Sequence, residues 1–511
     1  MTLRLSIQLL VALVATFVTG GAPVPPVLAQ SDARPELTVG FSVGPATLDP
    51  RREQAISFQS VLRHMYEPLL YHDRQGTITP SLATSWKFID PLTLELKLRT
   101  GVRFHNGEAF DAQSVKYTID SINAPDSKAI NKFTLANVAR VDTPDSHTVR
   151  LVLKTPSRAQ LRTLTFWPLG MLPPKAAAEL GDRLGTVSVG TGPYRLGEYV
   201  PGEKLVLLPH DGYWGGKPAY SKITVRIIPE NGTRIAALES GEAMMINNVP
   251  PDQIQRLGAN ATLTIISRPT TRNMFVAFNW RKQTIATDPR VRQAVSLAID
   301  RSELVKGVLN GTAPVSRSPL APAIFGAVTF EASPYNPTRA KQLLQDAGYK
   351  GERLEFWVPN GRYLNDKLVG EAIGGYLQAA GFNVAVRVVE WGQFVAETIA
   401  GKGKDWDMAF FGYSNPPLEP DYSFNLFHSK FDQVGYSNPS YDALVEKARG
   451  TIDEREAAPI YEEIQRVLWR ETPYVFLYFQ PQIDAVNKRL RGYEPMPDEY
   501  MFFTGTSLVA R

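Results

Sequence analysis

Residues 66–122 read YEPLLYHDRQGTITPSLATSWKFIDPLTLELKLRTGVRFHNGEAFDAQSVKYTIDSI, and this stretch decides the fold. Asp90 and Pro91 make a turn, after which Leu92, Leu94, Leu96 and Leu98 alternate with Thr93, Glu95, Lys97 and Arg99. That period of two predicts a strand with one buried face. Asn106-Gly107 supplies the next turn, because both residue types tolerate positive φ. Asp111 is placed to cap a helix whose Val115, Ile119 and Ile122 recur at helical spacing. No metal-ligand cluster or phosphate loop interrupts this order, so it reads as scaffold rather than chemistry.

The chain around it has 511 residues, 43% hydrophobic and 21% charged, enough for two or three domains with sizeable cores. Its formal charge is +4; without the first 29 residues, which carry only Arg4, 54 basic residues face 51 acidic ones. No basic block stands out that would track nucleic acid. The N-terminus has a cationic start at residues 1–4, an apolar run at 5–18 and Val27-Leu28-Ala29 beyond it. This pattern predicts an export signal cleaved near Ala29, since the apolar core falls short of the ~20 residues that a membrane span needs. The absence of cysteine excludes disulfides, thiol catalysis and a cysteine-anchored lipoprotein. The expected location is the periplasm.

Further along, residues 36–43 predict a short strand and residues 147–153 a second half-buried strand, with Val149, Leu151 and Leu153 inward. From Asp288 the texture turns to helix punctuation. Asp288-Pro289 opens one helix, Asp300 and Glu303 suggest a capping box for the next, and Asn336-Pro337 opens a third. Strands at 354–358, 382–388 and 407–411 then alternate with helices at 366–380 and 391–400, which implies a parallel sheet covered on both faces. A helix at 453–469 and a strand at 474–479 complete this part. The chain therefore reads as two α/β lobes, and ligands of open α/β sheets bind outside the strand ends, where the lobes face each other.

The ordered residues of residues 66–107 closely resemble the signature of the family 5 (dipeptide/oligopeptide-type) solute-binding proteins of ABC importers. They are Tyr66, Glu67, Leu69 and Leu70; Ala83, Ser85 and Trp86; Gly101, Val102, Phe104, His105, Asn106 and Gly107. A second region, Gly190-Thr-Gly-Pro-Tyr194 with Tyr213-Trp214 after it, is similar to the same family. The resemblance implies an α/β, two-lobe periplasmic binding protein fold of the type II, three-domain (cluster C) kind, hinged and closing on its ligand in the cleft. The expected division is 1–29 signal peptide, 30–65 lobe I, 66–174 an extra strand-rich subdomain, 175–274 lobe I again, 275–479 lobe II, and 480–511 returning to lobe I. The expected partners are a small solute or short peptide and the permease and ATPase subunits at the inner membrane, with the protein itself a monomer.

In peptide-binding relatives an aspartate following a Gly-aromatic pair takes the ligand amine. The matching segment here runs from Gly412 to Asp421, and Pro416 falls where that aspartate should be. Either the register slips so that Glu419 or Asp421 takes the amine, or the ligand has no free α-amine; the second is favoured, because proline cannot neutralise an ammonium. Arg362 lies in Asn360-Gly-Arg-Tyr363, where dipeptide-binding relatives place an arginine for the ligand carboxylate, and a guanidinium can grip a carboxylate through two parallel hydrogen bonds. Its bland alternative is an arginine in a polar surface loop. Phe410 replaces an arginine of the longer-peptide binders, which argues against oligopeptides. Tyr363, Trp391, Tyr413, Ser414 and Asn279 are candidate lining residues by the same resemblance. Asn247-Asn248 is either a pocket pair or turn chemistry before Pro250-Pro251.

The six histidines show no metal-ligand spacing, and no cofactor or metal is expected. The rival classes are a secreted hydrolase using paired carboxylates and a binding protein serving a chemoreceptor. No G-x-S-x-G, H-E-x-x-H or placed acid pair supports the first.

Overall fold

A computed structural model describes residues 34–509, except 54, 55, 131, 401, 402, 404 and 431–433. The expected export signal lies outside the described residues.

Ten strands form one mixed sheet, in the order Val384–Glu390, Leu354–Asn360, Met408–Tyr413, Leu263–Phe278, Tyr474–Asn487, Met245–Ile246, Glu36–Phe41, Lys222–Ile227, Lys204–Pro209 and Tyr194–Val200. Two long antiparallel strands, Leu263–Phe278 and Tyr474–Asn487, carry the sheet from one half to the other. Sequence reading ended the second of them at residue 479. The structure continues it to Asn487, with Pro481 opposite Pro269 and the register shifting between Pro269 and Asn273. Neither proline has an N–H to give, so the ladder is weakest where the two face each other.

The three strands of the expected βαβαβ unit are mutually parallel. The neighbouring long strand joins them antiparallel, so the sheet is mixed rather than wholly parallel. Helix Asp366–Ala379 lies close on this unit: a Cβ at Gly370 would come within 2.4 Å of Val358, and one at Gly374 within 2.3 Å of Val386. One hydrophobic core containing Val358, Val369 and Phe410 extends to Ile228, Leu238 and Leu257 of the other half, and a second holds Phe275, Trp357 and Phe411. A third surrounds Leu37, Val39, Leu205 and Ile223 on the other half.

A separate four-stranded antiparallel sheet, ordered Ala83–Asp90, Thr93–Leu98, Thr148–Leu153 and Val138–Asp145, has its own core under helix Ala112–Asn123. Leu94, Leu96 and Leu98 are buried as expected. Leu92 is not: it belongs to the preceding turn and is 37% exposed. The expected N-caps are present, although the box expected of Asp300 and Glu303 forms only its Asp300 half. Asp111 forms a capping box with Ser114, Asp288 accepts from Arg290 N, Asn336 from Arg339 N, and Asp300 from Glu303 N.

Candidate functional site

The loop between strand Leu354–Asn360 and helix Asp366–Ala379 is built by one carboxylate. Asp366 accepts the backbone N–H groups of Gly361 (3.2 Å), Arg362 (2.7 Å) and Tyr363 (3.0 Å), turning three amides inward on a buried side chain. Leu364 N donates to Gln480 Oε1 at 3.1 Å, which ties the loop to the second long strand. The result presents Arg362 to a narrow cavity of about 40 Å³ lined by Asn247, Asn248, Arg272, Gln480, Gln482 and Glu499, among others.

The Arg362 guanidinium lies 5.2 Å from the Tyr363 ring and 5.3 Å from the Trp391 ring, both within cation–π range. Tyr363 is fixed in turn by its hydroxyl, which donates to Gly412 O at 3.1 Å. Trp391 stacks on Phe394 with centroids 5.6 Å apart. Among the described residues Arg362 makes no ion pair, and its Nε is buried without a hydrogen-bond partner. Burial, and after it the neighbouring Arg272 cation, lower the Arg362 pKa from its usual value. Arg272 is itself paired: its Nη2 and Nε donate to Glu499 Oε2 at 2.8 and 3.2 Å.

The sequence candidates divide. Arg362, Asn247 and Asn248 line the cavity, and Tyr363 and Trp391 form the aromatic support for Arg362. Asn247 Oδ1 accepts from Ser42 N (2.9 Å) and Asn248 Nδ2 donates to Ser42 Oγ (2.8 Å), so the pair also has local bonding duties. Tyr413 stacks on Tyr422 at 5.6 Å, and Ser414 is buried next to it; neither lines the cavity. Asn279 is placed elsewhere. It follows the far end of the first long strand, and its amide donates to the carbonyls of Gly403 (3.1 Å) and Trp406 (3.0 Å). Its side chain there bonds backbone carbonyls and is not among the residues lining the cavity beside Arg362.

The alternative acids of the Gly412–Asp421 segment are occupied. Glu419 is buried and accepts from Arg158 Nη2 at 3.0 Å, with Arg162 3.9 Å away, and Asp421 pairs with Arg449 at 2.8 Å. Burial pushes the Glu419 carboxyl up to about 7, against the pull of Arg158. Both acids therefore already face arginine cations, although Glu419 Oε2 has no hydrogen-bond partner among the described residues. Sequence reading missed Arg272, Gln480, Gln482 and Glu499, which come from the long strands and the C-terminal segment and belong to no local motif.

A larger hollow of about 630 Å³ lies on the four-stranded subdomain. Its Lys132 and Lys154 ammoniums already donate to the carbonyls of Pro125 and Ala136, and it holds none of the residues singled out above. Among the described residues no group of three His, Cys, Asp or Glu side chains is arranged to hold a metal, and no helix is long and apolar enough to cross a membrane.

Comparison with known proteins places this architecture. The model for bacterial extracellular solute-binding proteins, family 5 Middle, matches residues 77–434. The chain is 31% identical over 510 residues to the glutathione-binding protein GsiB of Pectobacterium atrosepticum, covering 97% of this chain and 98% of that protein. Among solved structures it is similar to the periplasmic binding protein DppA of Helicobacter pylori in complex with the peptide STSA, with a TM-score of 0.86 and 24% identity over 93% of this chain and 98% of that one. AgaA of A. tumefaciens R10, in complex with agropinic acid, has a TM-score of 0.85 at 24% identity, covering 93% and 99%. The two-lobe fold, the sequence signature and these likenesses agree: the chain belongs to the family 5 bacterial extracellular solute-binding proteins, the solute-capturing subunits of ABC importers.

Proposed function

We propose that this protein works in the periplasm as a monomer, that Arg362 grips a carboxylate of its small solute, and that the lobes close over the complex for delivery to the permease. The observation that carries the reading is the Arg362 guanidinium, which faces the cavity with aromatic support and, among the described residues, no ion pair. A cation withdrawn from water without a counter-ion is costly, and a ligand carboxylate repays that cost while making two charge-assisted bonds.

The lobes in this reading are residues 30–65, 175–274 and 480–511 on one side and 275–479 on the other, with 66–174 as the added subdomain. The opposition of Pro269 and Pro481 supports a hinge in the long strands. Arg362, Arg272 and Glu499 together leave the cavity with one net positive charge. Glutathione, named for the GsiB relatives, carries two carboxylates and one ammonium and is therefore a charge match and the first compound to try.

The test is calorimetric titration of glutathione and a dipeptide panel into wild type and Arg362→Ala. Loss of one partner of a buried charge pair predicts binding weaker by about 30-fold or more. Unchanged affinity for every ligand that wild type binds would overturn the assignment.

A further inference from the structure

The cavity beside Arg362 holds unsatisfied acceptors as well as an unsatisfied donor. Glu499 places Oε2 on Arg272, while its Oε1 is buried without a hydrogen-bond partner among the described residues. Gln482, lining the same cavity, gives its Nε2 to Asp484 Oδ2 at 2.9 Å and likewise leaves Oε1 buried and unbonded. Buried polar atoms left unpaired cost stability, so three of them of complementary type in one cavity point to a common missing partner. The partner must offer an acceptor to Arg362 and an N–H donor to Glu499 and Gln482.

Backbone conformation adds to this. Glu499 has φ 70°, in the left-handed region that a residue with a Cβ disfavours. A tight turn holds it there: Glu499 N donates to Met496 O at 3.0 Å, and Tyr500 N to Asp498 Oδ1 at 3.0 Å. The turn aims Glu499 at the cavity while Arg272 fixes one of its two oxygens.

Resting on the carboxylate reading above, we infer that Glu499 Oε1, with Gln482 Oε1 of the same cavity, receives the ligand's ammonium while Arg362 receives its carboxylate. The amine site has then moved from the Gly412–Asp421 segment, where Pro416 stands, to the C-terminal segment. The ligand is not amine-free, contrary to the expectation drawn from Pro416 alone. With the cavity's one surplus positive charge, the best-matched solute is a peptide-like zwitterion bearing a second carboxylate.

Calorimetric titration of paired probes tests this on wild type, Glu499→Gln and Arg362→Ala. The probes are glutathione and N-acetylglutathione, and Met-Leu and N-acetyl-Met-Leu. Wild type is expected to bind the free-amine member of a pair at least about 30-fold tighter than the acetylated one. Glu499→Gln should abolish that ratio, and Arg362→Ala should weaken both members alike. A disturbance of packing through Arg272 would lower both affinities and keep the ratio, so a retained ratio in Glu499→Gln overturns the proposal. Equal binding of both members by wild type, with both lost in Arg362→Ala, overturns Glu499 and leaves the carboxylate reading standing. An amine ratio lost in Glu499→Gln together with full binding by Arg362→Ala supports Glu499 and overturns the carboxylate reading. Binding of neither pair by wild type overturns the proposal.

Discussion

Asp366 does not line the cavity, yet the position of Arg362 depends on it. Its carboxylate holds three consecutive loop amides, and its removal would leave those N–H groups buried without acceptors. Asp366→Ala is expected to cost about 2 kcal/mol or more of stability, read as a lower urea midpoint. It should also weaken solute binding, because the loop that presents Arg362 loosens. Glu67, from the most recognisable part of the sequence, has a related role. It accepts from Thr191 Oγ1 (2.9 Å), Tyr213 OH (2.8 Å) and Trp214 Nε1 (2.9 Å), so the separate pieces of the family signature meet on one buried carboxylate. The signature is thus a structural joint, which is why it identified the fold without revealing the ligand.

At the scale of elements, helix Asp366–Ala379 sits on its sheet through glycines. Gly370 faces Val358, whose side-chain atoms lie 2.4–2.9 Å from where a Cβ would be. Gly370→Ala must push the helix off the strand, an overpacking expected to cost about 1–3 kcal/mol. Because the N-terminus of this helix carries Asp366, the same variant should bind solute less tightly, whereas Gly375→Ala, with open space around its Cβ, should do neither. Thermal melts and titrations on the two variants check this contrast. The element boundaries that sequence reading placed well were those with local punctuation, such as Asp111, Asp288 and Asn336 as caps. The full length of the long strands was not read from the sequence; each contains a proline, Pro269 and Pro481, and their pairing joins segments about 200 residues apart.

At the scale of the molecule, contacts reach from the four-stranded subdomain to the segment that follows strand Met408–Tyr413. Arg158 donates to Glu419 and to Glu454 (3.2 Å), and its guanidinium lies 4.7 Å from the Phe325 ring. Tyr422 meets the rings of Phe133 and Phe166, each at 5.5 Å. If the lobes part without ligand, these contacts exist only in the closed form. Arg158→Ala would strand the buried Glu419 carboxylate, a loss of about 3 kcal/mol or more to closure. Small-angle scattering should then show incomplete compaction on adding a ligand that compacts wild type.

His72 adds a pH dependence. Its Nδ1 faces Asp73 O (3.1 Å), and its Nε2 faces Asp498 Oδ2 (2.9 Å) and Pro416 O (3.2 Å), with Arg63 4.0 Å from Asp498. Both nitrogens therefore need protons, and although burial opposes the charge, the Asp498 carboxylate raises the His72 pKa. A raised pKa contributes stability that is complete below the unfolded value of about 6.5 and is lost as pH rises through the folded one. As pH rises above 6.5 wild type should lose more thermal stability than His72→Gln; equal slopes would refute the imidazolium.

The sequence by itself determined the family, the α/β character, most helix starts and the position of Arg362 just after a strand. Those depend on periodicity and capping within a few residues. Only the tertiary structure decided which charges remain unpaired. Arg158 and Glu419 are 261 residues apart, and Arg272 and Glu499 are 227 apart. Along the chain Glu419, Asp421 and Glu499 are equivalent carboxylates, and Arg158, Arg272 and Arg362 equivalent cations. Folding pairs some of them by bringing distant segments together, and the groups it leaves without partners in a cavity are the ones free to bind a solute.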